Sequence, residues 1–132
     1  MGYRSDVAIE LEKKAFSLMK KSLLELKEKE PGTYKYFKPR ILKTDFETYV
    51  LEWDRLKWYT DAGFVDVDAV ENVLSELKEK HTEEKGFGYY KIRIGEDSDD
   101  IEEETNCSSF EPNIWSKAII EISDYSNEIN EL

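Results

Sequence analysis

Val7, Ile9 and Leu11 alternate with Asp6, Ala8 and Glu10, the period-two pattern of a strand with one buried face. From Glu12 to about Glu30 the step changes. Ala15, Phe16, Met19, Leu23 and Leu26 recur every three or four residues and share one helix face, leaving Lys13, Lys20, Lys27 and Glu28 outward. Pro31-Gly32 is read as the stop of that helix, followed by a loop rich in Tyr34, Tyr36, Phe37 and Pro39. The next stretch predicts two short β segments, near 41–47 and 49–54, with no Asn-Gly or Asp-Gly pair to mark their turn. Gly63 interrupts the pattern. A second helix over about 67–80 then places Val67, Val70, Leu74 and Leu77 together, with Asp66 or Asp68 as cap and Glu71 at capping-box spacing from Asp68. Gly86 to Ile94 alternates again, with Tyr90, Ile92 and Ile94 on one face and Phe87, Tyr89, Lys91 and Arg93 on the other. Ala118, Ile120 and Ile122 alternate with Ile119 and Glu121, offering a further strand over Trp115–Ile122.

The order β-α-β-β-α-β predicts an α+β fold, the split-βαβ or ferredoxin-like two-layer sandwich, with both helices on one face of an antiparallel sheet. The tail would add an extra C-terminal strand. A length of 132 residues suits one domain, expected to span 1–132 with an acidic loop near 96–104 and a C-terminal extension over 105–132. The content of 37% charged residues is polar, but 13% aromatic residues argue against wholesale disorder. Val7, Ile9, Phe16, Leu23, Val70, Leu74, Ile92 and Ile94 are the expected core. No apolar run approaches a membrane span and no signal-type segment opens the chain, so a cytoplasmic protein is expected.

Charge divides the chain unevenly. Residues 1–60 hold 13 Lys/Arg against 10 Asp/Glu, and residues 61–132 hold 6 against 20, giving the net −11. The basic excess sits between Lys27 and Lys43. The acidic excess peaks at Glu96–Glu104, where seven of nine residues are carboxylates. Such a run must face water, a cation or a basic partner. Nucleic acids and anionic membranes are repelled at long range by a molecule this acidic.

Candidate chemistry is sparse. A lone Cys107 and a lone His81 supply neither a zinc set nor a Cys-His pair, and no phosphate loop or nucleophile elbow appears. The acidic run lacks the central glycine of a calcium loop, and neighbouring carboxylates on one loop are poorly organised for metal catalysis. Thus no catalytic residue, cofactor or metal is expected. Two sites remain. Asp97, Asp99, Asp100, Glu102 and Glu103 form a candidate contact for a basic partner. Arg4, Asp6, Trp58, Tyr59 and Arg93 form a candidate pocket near the sheet edge, although a surface ion pair at Arg4 and Asp6 and core packing of Trp58 are the plainer readings.

Gly2-Tyr3-Arg4-Ser5-Asp6-Val7, Leu56-Lys57-Trp58-Tyr59, Phe64-Val65-Asp66-Val67 and Ile92-Arg93-Ile94-Gly95-Glu96-Asp97 with its Asp-Asp-Ile-Glu-Glu continuation resemble small uncharacterised proteins of tailed phages and prophages. The likeness covers about residues 1–104 and brings no known activity or catalytic residue. It implies action in a bacterial host's cytoplasm. The expected function is a non-enzymatic accessory protein that binds a basic surface of a host protein through its acidic segment. A small-ligand or nucleotide binder, or a modest enzyme, using the pocket near Arg4 and Trp58 is the alternative. Single-stranded RNA stacking on Phe87, Tyr89, Lys91 and Arg93 is a weaker one, disfavoured by the adjoining carboxylates. Homo-oligomerisation is left open by the sequence.

Overall fold

The first alternating run forms β1 (Ser5–Leu11), and the three- and four-residue spacing that follows forms α1 (Lys13–Lys29). The structure is a computed structural model that describes residues 3–58, 65–80, 85–97, 99–116, 120–122, 126–129 and 132. Pro31 does not open a loop. It occupies the first turn of a second helix, α2 (Pro31–Phe37), where its missing amide hydrogen has no helical partner to lose and its fixed φ suits the helix. Tyr34 and Phe37 then turn inward as core residues, correcting the expected aromatic loop. The strands β2 (Arg40–Thr44) and β3 (Tyr49–Leu56) follow, then α3 (Val65–Lys80), which starts two residues before the expected boundary, and β4 (Tyr89–Ile94).

The acidic segment is only partly a loop: from Ile101 it is strand β5 (Ile101–Thr105), which returns along β4. The expected tail strand is also resolved differently. Its residues contribute β6 (Ile114–Ser116) and β7 (Ile120–Ile122), a separate two-stranded antiparallel sheet, while β8 (Ser126–Ile129) pairs with β2. The main sheet is antiparallel throughout, in the order β5-β4-β1-β3-β2-β8. The fold is therefore α+β, a six-stranded antiparallel sheet with three helices among the described residues.

The pleat divides the apolar residues into two layers. Val7, Ile9 and Leu11 of β1, Leu51 and Trp53 of β3 and Tyr89 of β4 face the helices, where Phe16, Met19, Leu23, Val70, Leu74 and Leu77 cover them. On the other side, Ala8, Leu42, Val50, Ile92 and Ile94 pack with Ile114 and Ile120 of the small sheet. All the residues expected in the core are buried. Ile92 and Ile94, however, lie beneath the small sheet, and their alternates Tyr89 and Lys91 lie beneath the helices. That placement corrects the RNA-stacking expectation, because Tyr89 and Lys91 are buried and offer no face to a base.

Candidate functional site

The β4–β5 hairpin carries the acidic run, and the pleat sends its carboxylates to different surroundings. Glu104 pairs across the strands with Lys91 and Glu102 with Arg93, on the helix side of the sheet, whereas Glu103 sits opposite Ile92 on the other side. Lys91 is 3% exposed beneath α3. A charge so desolvated needs partners, and its Nζ lies 2.6 Å from Glu71 Oε1 and within 4.0 Å of Glu102 and Glu104. Glu71 also accepts a hydrogen bond from Trp58 Nε1 at 2.9 Å. Glu104 takes Lys78 Nζ at 2.5 Å and the Tyr89 hydroxyl at 2.6 Å. Burial by itself would raise the Glu104 pKa, but hydrogen bonds from Lys78 and Tyr89 and the charge of Lys91 carry it below the usual carboxylate range. Burial and the Glu104 bond together push the Tyr89 hydroxyl far up. Burial, followed by a hydrogen bond to Glu103, raises Tyr90 to about 12.

The turn of the hairpin is braced from within. Gly95 N–H donates to Asp100 O and Asp100 N–H to Asp97 O, both at 2.9 Å. The Asp100 carboxylate accepts the Tyr3 hydroxyl at 2.6 Å and Arg93 Nη2 at 3.0 Å. These two donors, Arg93 foremost, hold its pKa below the ordinary value. Any side chain at Gly95 would collide with the Tyr3 ring and the Asp100 carboxylate, so this close approach requires glycine. Of the five residues expected to meet a partner, Asp100 is thus occupied in shaping the turn and Glu102 is half-committed to Arg93, at 3.4 Å. Asp97, Asp99 and Glu103 are exposed. The outer edge of β5 has no neighbouring strand among the described residues.

Beside this hairpin is a cleft of about 410 Å3 lined by Arg4, Asp6, Arg55, Ile94, Gly95 and Glu96. Two residues of the expected pocket, Arg4 and Asp6, are therefore together. Arg93 and Trp58 lie elsewhere. Arg93 turns to the helix side, where Ser5, Asp100 and Glu102 hold it. Trp58 is a core residue, 7% exposed and packed on Phe37 and Trp53 at centroid distances of 5.8 and 5.1 Å. Tyr59 and His81 lie outside the described residues. Arg55 and Glu96 complete the cleft and carry no signal in the hydrophobic pattern, because Arg55 stands where the β1–β3 register slips and alternation fails. Among the described residues, no group of three or more His, Cys, Asp or Glu side chains is placed to hold a metal, and no helix is long and apolar enough to cross a membrane.

A buried acid was missed as well. Glu10 is fully enclosed on the small-sheet side; Asn113 N–H and the Thr48 hydroxyl each donate to it at 2.6 Å, and Asn113 Nδ2 donates at 2.8 Å. It fastens the segment before β6 to the sheet. Comparison with protein-family models, curated proteins and solved structures finds no match.

Proposed function

We propose that this chain is a phage- or prophage-type accessory protein that acts in a bacterial cytoplasm by binding a basic surface of a host protein, without chemistry of its own. The observation that carries the reading is the presentation of Asp97 and Asp99 on a turn braced by Asp100, Arg93 and Tyr3. Carboxylates on a braced turn lose little further freedom on docking, and uncompensated charge steers a basic partner. Glu102 and Glu103 continue the charge along the β5 edge, one on each face of the sheet. We further infer that the inner order β4-β1-β3-β2, with α1 and α3 on one face, is an elaborated ferredoxin-like sandwich in which α2, β5, β8 and the small sheet are additions.

The test is capture of a host protein from bacterial lysate by the native chain and by a variant combining Asp97→Asn, Asp99→Asn, Glu102→Gln and Glu103→Gln. Asp100 stays because it shapes the turn. The variant is expected to keep its melting temperature and to associate more slowly, and native binding is expected to weaken as salt rises. Capture that is indifferent to both changes would refute the reading.

A further inference from the structure

Arg55 has a backbone that ordinarily calls for glycine. Its φ is +53°, in the left-handed region that L side chains other than Asn and Asp rarely adopt. The cause is a β-bulge. Ser5 pairs with Leu56 and Val7 with Trp53, so Asp54 and Arg55 together stand opposite Asp6. Two contacts from β1 and its leading residue fix the distortion: Arg55 N–H donates to Asp6 Oδ1 at 2.8 Å, and Arg4 Nη1 donates to Arg55 O at 3.0 Å. A bulge re-aims a side chain, and here the residue on the strained backbone is an arginine that lines a cleft.

Four charged residues line that cleft: Arg4, Arg55, Asp6 and Glu96. Both acids are turned to the backbone, Asp6 receiving the Arg55 amide and Glu96 Oε1 the Arg4 amide at 3.0 Å. Arg4 spends one guanidinium nitrogen on the Arg55 carbonyl, and the Arg55 guanidinium has no partner among the described residues. Arg4 also walls a second cleft of about 270 Å3, lined by Phe37, Leu56, Lys57, Asp66 and Val67. A ligand beside the arginines would thus have the part-exposed Leu56, the Lys57 cation and the Asp66 carboxylate as further neighbours.

We propose that the cleft between Arg4 and Arg55 is an oxyanion site that takes the phosphate of a small phosphomonoester whose apolar or aromatic body lies toward the part-exposed Leu56. Guanidinium forks match phosphate oxygens in geometry and charge. The proposal stands apart from the hairpin reading, since Asp97, Asp99, Glu102 and Glu103 do not line this cleft.

The decisive variant is Arg55→Gly, which removes the guanidinium and relieves the left-handed strain in one change. Phenyl phosphate and inorganic phosphate are titrated against isotope-labelled protein, with amide shifts and melting temperature as readouts. Phenyl phosphate is expected to shift the Arg55, Gly95 and Glu96 amides saturably and to bind tighter than inorganic phosphate. Arg55→Gly is expected to weaken it by about tenfold or more while melting at the native temperature or above. Absence of saturation, shifts confined to another surface, or unchanged affinity in Arg55→Gly would overturn the site. Equal affinity for the two probes would overturn the role of Leu56 in holding the ligand's body. Should Arg55→Gly melt lower, Arg55→Asn repeats the test in a residue that tolerates this backbone; lowered melting in both would show that Arg55 is kept for the fold and overturn the proposal.

Discussion

At the scale of the residue, burial assigns opposite meanings to similar side chains. Leu74 is 1% exposed between α3 and the sheet, and Ile92 is fully buried beneath the small sheet. Replacing either with alanine is expected to cost about 2–5 kcal/mol through lost transfer energy and an unfilled cavity, as read from urea midpoints; a near-neutral result at either would contradict its packing. Glu10 is a polar counterpart. Glu10→Ala leaves the Asn113 backbone and side-chain amides without their acceptor, a loss expected to reach about 2 kcal/mol, with faster hydrogen exchange at Asn113. Exchange at Asn113 that stays native in Glu10→Ala would show that the segment before β6 is held by other contacts. Periodicity marks Leu74 and Ile92 as core, but it marks Glu10 only as the polar member of an alternating strand. What encloses Glu10 comes from Asn113, far along the chain, and local pattern carries no sign of that meeting.

The β4–β5 hairpin shows at the scale of the element why a charge run is a poor guide to its neighbours. Sequence displays seven carboxylates and few nearby cations, whereas the fold brings Lys91, Arg93 and Lys78 against them, two of these by cross-strand pairing and one from α3. Asp100 and Glu104 consequently titrate below their ordinary values of 3.8 and 4.5. A carboxyl with a depressed folded pKa stabilises the fold fully above its unfolded value and loses that contribution as pH falls through the folded value. Glu52 acts in the opposite sense, because burial and then Asp54 raise its pKa, so its protonation in acid offsets part of the loss. Glu104→Gln should therefore be less stable than the native chain at about pH 6, and the gap should close only as pH falls below the ordinary 4.5 and through the depressed folded value. Urea midpoints that remain parallel across this interval would show that Glu104 contributes no ionic stabilisation. The helices and inner strands were legible because one period dominates each, whereas α2 was hidden by reading Pro31 as a terminator when it is equally a first-turn residue.

Two apolar layers on one sheet define the whole molecule, and the second is the less legible. Alternation identified Ile92 and Ile94 as buried but could not say that a separate sheet, rather than the helices, buries them; the three-residue strands β6 and β7 are too short to display a period. Removing residues 114–132 would uncover Ala8, Leu42, Val50, Ile92 and Ile94 and take β8 from the outer edge of β2. Exposing Ile92 and Ile94 alone should cost about 3–6 kcal/mol at the usual value for an enclosed aliphatic side chain, a large fraction of the stability of a typical domain. The shortened chain is expected to bind a hydrophobic dye, melt earlier and associate at concentrations where the full chain does not, since a large exposed apolar face seeks cover. The helix-side layer should survive in part, leaving Leu23, Leu74 and Leu77 protected longest in hydrogen exchange. A shortened chain that melts with the native and binds no dye would mean that the small sheet merely rests on a face already satisfied, and the two-layer account of this core would fall with it.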